Sequence, residues 1–249
     1  MGFMTKQMNN LSLKFKRIDA ISDEDAIFRN SEKYWNTWER PLKNTEKACL
    51  LSHIEAWKVV LKNNQPALIL EDDACLSIDT KLVLQSASKL ENTDLLSLEV
   101  RFRKKLLSKK RKKLFLGYSV SKLYQNGSGA AAYILWPTGA EKLILRSSQH
   151  AALADALISN FRKLNAFQIE PACALQLDCL SLHGIQSPIR HQSIINKGKY
   201  SVRPVYEKGT RIKFFIKRVI SQIIKGFQLL YLMPISEKRH IILKKNKFK

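Results

Sequence analysis

Acidic residues are scarce in this chain: 21 Asp and Glu stand against 43 Lys and Arg over 249 residues, a net charge of +22. So one-sided a balance attracts polyanions, whether nucleic acid, anionic lipid or phosphorylated glycolipid, and charge alone does not choose among them. Cysteine is scarcer still. Cys49, Cys75, Cys173 and Cys179 form no C-x-x-C pair, which excludes the common structural zinc sites and does not suit a secreted disulfide scaffold. No long apolar core opens the chain as a signal peptide requires. Lys6 stands where a myristoylation signal has Ser or Thr, so lipidation at Gly2 is unsupported. Together these absences predict a reduced, cytoplasmic protein. The glycine-containing turn Asn126-Gly127-Ser128-Gly129 lacks the spacing of a P-loop or dinucleotide fingerprint and reads as the entry to a strand.

What is present begins with 45% hydrophobic residues distributed in interspersed runs, enough for a folded α/β domain of substantial core. The most informative run is Ala67-Leu68-Ile69-Leu70, apolar throughout, followed at once by Glu71-Asp72-Asp73. Open α/β sheets place ligand groups just beyond the carboxyl ends of their strands. Three carboxylates there suggest a divalent cation, and hard oxygen donors suit Mn²⁺ or Mg²⁺ rather than zinc. On an extended segment alternate side chains share a face, so Glu71 and Asp73 are the candidate metal ligands and Asp72 a candidate substrate contact. The competing reading is that the aspartates cap a turn. Upstream, residues 46–63 carry Cys49, His53, Trp57, Val60 and Leu61 at helical spacing before Asn63-Asn64-Gln65-Pro66, which predicts a helix with Trp57 in the core.

The order Glu46, Cys49, Leu51-Ser52-His53, Trp57, then Ile69 through Asp73 resembles glycosyltransferase family 25, the lipooligosaccharide galactosyltransferase family of Gram-negative bacteria. Asp94 through Glu99, the Gly127 to Leu143 segment with Ala132-Tyr133-Ile134, then Asp155, Pro171 and Ser187-Pro188-Ile189 follow in matching order. The resemblance spans residues 11–195 and implies a GT-A-like fold, an acidic metal site, a UDP-sugar donor, a lipooligosaccharide or lipopolysaccharide acceptor and inversion at the transferred hexose, galactose in the first instance. It makes Ser52 and His53 lining of the cleft, Asp155 the first candidate for the catalytic base and Glu99 the second. The family's opening hydrophobic strand and arginine-rich turn have no counterpart before Phe15-Lys16-Arg17; the chain reads as starting after that strand, and the alternatives of an inactive relative or a polyanion-binding or membrane-binding module stay open. Nucleic acid is disfavoured as a partner, since no recognised motif is present and an acidic triplet repels phosphate.

The basic charge has two foci. Arg101 to Lys113 holds nine Lys or Arg and is expected to be a loop or solvated helix between strands. Residues 197–249 carry +13. Within them Ile212, Ile216, Val219, Ile220, Ile223, Phe227 and Leu230 share one helical face, with Lys217, Arg218 and Lys225 elsewhere. Basic residues interrupt too often for a membrane span, so the pattern predicts an interfacial helix on anionic lipid; a helix packed on the domain has the same pattern. The division is thus a transferase-like domain over 1–200 and a basic tail over 201–249, peripheral on the inner face of the cytoplasmic membrane.

Overall fold

The computed structural model describes residues 2–115, 117–126, 129–159, 162–189 and 208–248. Its centre is a mixed seven-stranded sheet ordered β1-β6-β3-β7-β5-β4-β9, made of β1 (Ala67–Leu70), β3 (Leu95–Ser97), β4 (Lys105–Phe115), β5 (Tyr118–Gln125), β6 (Ala132–Leu135), β7 (Ala166–Glu170) and β9 (Ser236–Arg239). β2 (Ala74–Leu76) and β8 (Ala174–Gln176) form a separate antiparallel pair. β6 runs against both β1 and β3, and β3 runs with β7. The carboxyl ends of β1, β3 and β7 therefore open on one side of the sheet, and Glu71 and Glu99 lie just past two of them.

Eight helices frame the strands among the described residues: α1 (Gly2–Asn10), α2 (Asp23–Phe28), α3 (Glu32–Trp35), α4 (Asn44–Asn63), α5 (Thr80–Ala87), α6 (Pro137–Gln149), α7 (Ala154–Ser159) and α8 (Lys208–Leu232). No described strand precedes β1. Instead α1 packs Met8 into the core and Gln7 bridges to β2, donating to the Ala74 carbonyl at 2.9 Å and accepting from the Leu76 amide at 2.8 Å. α4 starts where the Glu46 carboxylate accepts the Lys43 N–H at 2.9 Å while Arg40 grips the same carboxylate with both terminal nitrogens, a capping arrangement that satisfies one orphan donor. It stops at Asn64, in the left-handed region at φ 48°, where Asn is tolerated. Leu50, His53, Trp57 and Val60 line its buried face, the i, i+3, i+4 spacing of an amphipathic helix.

The Arg101 to Lys113 segment corrects the sequence expectation. Most of it is β4, an eleven-residue strand whose first four residues are buried and whose Lys109 to Lys113 face solvent. A sheet strand tolerates such a charge run when only one end lies in the core and the other is a solvated ribbon paired with β5. Lys105, 2% exposed, is inside: its Nζ donates to Gln168 Oε1 at 2.6 Å, the Glu99 carbonyl at 2.9 Å and Ser97 Oγ at 3.2 Å. Three acceptors are what a buried ammonium needs. The chain's end also returns to the sheet. β9 pairs with β4, and Ile241 and Phe248 join the core.

Candidate active site

The apolar run ends in a turn rather than an extended segment. The Glu71 amide still bonds the Ala131 carbonyl at 2.9 Å, continuing the ladder, and the Ala74 amide then closes on the Glu71 carbonyl at 3.2 Å. Glu71 and Asp73 are brought to the same side, and Asp72 is turned out to solvent. The pairing expected from strand alternation is thus produced by a turn. β8 closes this side: Leu177 N–H donates to the Asp73 carbonyl at 3.0 Å, and Gln176 Nε2 lies 3.2 Å from Glu71 Oε2 and 3.2 and 3.4 Å from the two Asp73 oxygens.

Behind Glu71 stands a buried relay. His53 Nε2 is 3.1 Å from Glu71 Oε1, His53 Nδ1 is 2.9 Å from Tyr133 Oη, and Trp57 Nε1–H donates to the same Oη at 2.8 Å. His53 and Trp57 are one turn apart on α4, and Tyr133 reaches them from β6, where it sits opposite Ile69 of β1 and Ser97 of β3. Burial disfavours the imidazolium, yet Tyr133, Cys49 and Glu71 outweigh it and hold the His53 pKa well above its ordinary value. Burial likewise raises the Tyr133 phenol. Trp57 is core and also part of this support. Ser52 points elsewhere: its hydroxyl accepts from Ile21 N at 2.9 Å and donates to the Ala48 carbonyl at 2.8 Å, holding the segment before α2.

Glu99 and Asp155 come together at Gly129. Glu99 is 2% exposed; its Oε2 accepts the Ala131 amide at 3.1 Å and its Oε1 is buried with no hydrogen-bond partner among the described residues. Desolvation drives its pKa to about 7, although the Lys105 charge and the Ala131 amide oppose the rise. Desolvation lowers Lys105 to about 8, with the Glu99 and Glu170 charges opposing the fall; its ammonium bonds the Glu99 backbone carbonyl. Gly129 lies against the Glu99 carboxyl at φ 106°, where a Cβ would sit 1.8 Å from Oε1, a place only glycine fills. Asp155, in the first turn of α7, is half-buried and accepts the Gly129 and Ala156 amides. Desolvation raises its pKa, the Glu71 charge adds to the rise, and Arg101 opposes it. Arg101 is held by Asp178 at 2.9 Å.

Two donor sets meet at Glu71. Cys49, His53 and Glu71 offer sulfur, nitrogen and oxygen atoms within 4.8 Å of one another, but both imidazole nitrogens are engaged, by Tyr133 and Glu71. Glu71 and Asp73 are hard donors facing one amide, and the other end of that amide, Gln176 Oε1, is buried and without a hydrogen-bond partner among the described residues. This second set fits a divalent cation of the Mn²⁺ or Mg²⁺ kind.

Tyr133, Gln176, Gly129 and Arg101 were not singled out for roles by sequence reasoning. Tyr133, Gly129 and Arg101 lie in segments whose pattern the sequence displays; Gln176 comes from a three-residue strand with no local signal.

A family model described as Glycosyltransferase family 25 (LPS biosynthesis protein) matches residues 2–158. The Haemophilus influenzae "Lipooligosaccharide biosynthesis protein lic2B" is 25% identical over 183 residues, which is 69% of this chain and 69% of that protein. A "Putative glycosyltransferase" of the Rd strain of the same species is 26% identical over 184 residues, 70% of this chain and 64% of that protein. The matched segment contains Glu71, Asp73, Glu99, Tyr133 and Asp155 and ends before Gln176.

Proposed function

Because the chain belongs to glycosyltransferase family 25, we propose that it moves a hexose, galactose in our reading, from a UDP-sugar to a lipooligosaccharide or lipopolysaccharide acceptor, with inversion, in a GT-A-like fold. The observation that carries this reading is the convergence of Glu71 and Asp73 on Gln176, with the half-buried Asp155 within electrostatic reach of Glu71. Asp155 is the base: its raised pKa brings it toward the working pH, where a general base is most effective. Its carboxylate takes the proton of the acceptor hydroxyl as that oxygen forms the new bond to the anomeric carbon. The bond to the donor phosphate breaks on the opposite face, and UDP leaves with the electron pair. A divalent cation held by Glu71 and Asp73 would supply positive charge to the departing diphosphate. His53, fixed through Tyr133 and Trp57, holds Glu71 in place, and Asp72 is free to meet the sugar. Glu99 is the weaker choice as base, because it is closed in by Gly129 and Ala131. Transfer from UDP-galactose to a lipooligosaccharide acceptor with and without Mn²⁺ is the direct test; no turnover and no UDP-sugar binding in either condition removes the reading.

We further propose that α8 holds the protein on anionic lipid. No described helix is long and apolar enough to cross a membrane. Phe214 and Leu232, five turns apart on one azimuth, are buried against the domain, with Ser221 and Gln228 half-buried on the same side. The opposite face leaves Ile212, Ile216, Ile220, Ile223, Phe227 and Leu230 exposed. A helix docked to complete a core turns its apolar face inward; this one turns it out. Beside its carboxyl end Lys109 of the solvated β4 ribbon donates to the Pro234 carbonyl at 2.9 Å, so basic side chains flank the apolar stripe as an interfacial helix requires.

A further inference from the structure

We propose that Gln176 is itself a ligand of the cation, its amide oxygen joining Glu71 and Asp73; the proposal rests on the divalent-cation reading above. Gln176 is 9% exposed and pairs with Ala74 across the β2–β8 ladder. With Leu177 N–H on the Asp73 carbonyl, the backbone keeps the amide across the mouth of the acidic pair. Nε2 spans the two carboxylates at 3.2 to 3.4 Å, while Oε1 is buried and has no hydrogen-bond partner among the described residues. A buried polar atom with no partner calls for a reason, and a carboxamide whose two ends have nearly the same shape supplies one. Half a turn about Cγ–Cδ exchanges Nε2 for Oε1. Neighbouring oxygens around a six-coordinate ion with bonds of about 2.1 Å stand roughly 3 Å apart, close to the spacing that the amide end already keeps from both carboxylates.

The two ends then serve two states. With no ion, the N–H end is the one that two adjacent carboxylates accept. With an ion between them, the same position needs an oxygen. Gln176 screens the carboxylates from each other in the first state and completes a three-oxygen set in the second, with neutral charge throughout, so affinity for the ion stays moderate and the product complex can dissociate.

The test is a titration of the full chain with Mn²⁺, following free Mn²⁺ by electron paramagnetic resonance, with and without UDP, for the wild type, Gln176→Leu and Gln176→Glu. Circular dichroism and thermal melts without metal establish that each variant is folded. The expected result is Mn²⁺ binding weakened about tenfold or more in Gln176→Leu and equal or tighter binding in Gln176→Glu, which keeps an oxygen and loses the N–H donors. Unchanged affinity in Gln176→Leu overturns the proposal. So does a Gln176→Glu variant weakened like the leucine one, because that identifies the N–H end as the part that matters; should the leucine variant not fold, this arm decides alone. A wild type that binds no Mn²⁺ in either condition removes the cation reading itself, an outcome distinct from wild-type binding that ignores position 176.

Discussion

Replacing Glu99 with Gln should stabilise the protein at neutral pH and leave it unchanged in acid. Among the described residues Glu99 has a carboxyl with one amide partner, a bare buried oxygen and a pKa raised from 4.5 to about 7. Below pH 4.5 both the folded and the unfolded chain hold the proton, and the residue carries no ionisation penalty. As pH rises from 4.5 to 7 the unfolded chain releases the proton while the folded one retains it, so stability falls; above 7 the folded protein must carry the buried charge. The gap corresponds to a factor of roughly 300 in proton affinity, or about 3 kcal/mol, an upper figure that already includes the attraction of Lys105. For a chain of this length that is about 6 to 12 °C in melting temperature. Gln is isosteric, accepts the Ala131 amide and cannot ionise. Thermal melts of both proteins from pH 4 to 8 should coincide at the acid end and separate progressively above pH 4.5. A difference that is constant with pH, or a variant less stable at pH 8, would refute the assignment of Glu99 as a buried, ionisation-penalised acid.

Asp155→Asn should lower turnover by about 10² or more with little change in UDP-sugar binding; lost donor affinity instead would place Asp155 at the nucleotide. Asp73→Asn should abolish transfer and weaken Mn²⁺ binding while the fold persists, and near-normal turnover would remove it as a ligand. Tyr133→Phe strips the oxygen that Trp57 donates to and His53 contacts, leaving two buried groups unsatisfied. It should cost about 2 to 5 kcal/mol by denaturant unfolding, and a loss under 1 kcal/mol would show the relay is not buried as described. Phe227→Glu with Ile220→Glu should abolish binding to anionic vesicles and spare transfer to a short soluble acceptor, and wild-type vesicle binding should weaken in high salt. Point substitutions are the fitting test, because deleting the tail would also remove β9, Ile241 and Phe248 from the sheet and core.

Local patterns made much of this legible. The period of Cys49, His53 and Trp57 announces α4, the uniform apolarity of Ala67 to Leu70 announces β1, and the acids after it point to the candidate site, since each signal arises from neighbours in the chain. The β4 strand is hidden because its charge density reads as a loop or solvated helix. Its buried first four residues pair with β9, more than a hundred residues away in the chain, and Lys105 enters the core only because Ser97, Gln168 and the Glu99 carbonyl are assembled around it. Gln176 and Gly129 were hidden for the same reason. A glutamine in a three-residue strand and a glycine in a turn acquire meaning only when the carboxylates that face them are placed. Ser52 draws its role from the family resemblance alone, and one residue on a helix rotates a side chain by about 100°, enough to send its hydroxyl to the Ala48 carbonyl while His53 turns to Glu71.

Between α8 and β9 the chain spends only Met233, Pro234 and Ile235, and the Ile235 amide and the Ser236 hydroxyl both return to the Leu232 carbonyl. The helix is thereby tied by a short, hydrogen-bonded connection to the sheet that carries the acidic residues. On the proposed docking of its apolar stripe in a bilayer, the acidic residues would sit at a set height above the lipid and would work as a caliper: acceptor sugars at that distance from their anchor would be in reach, and those nearer or farther would not. Lengthening the three-residue connection would loosen the caliper and broaden the range of acceptor lengths without touching a residue of the cleft.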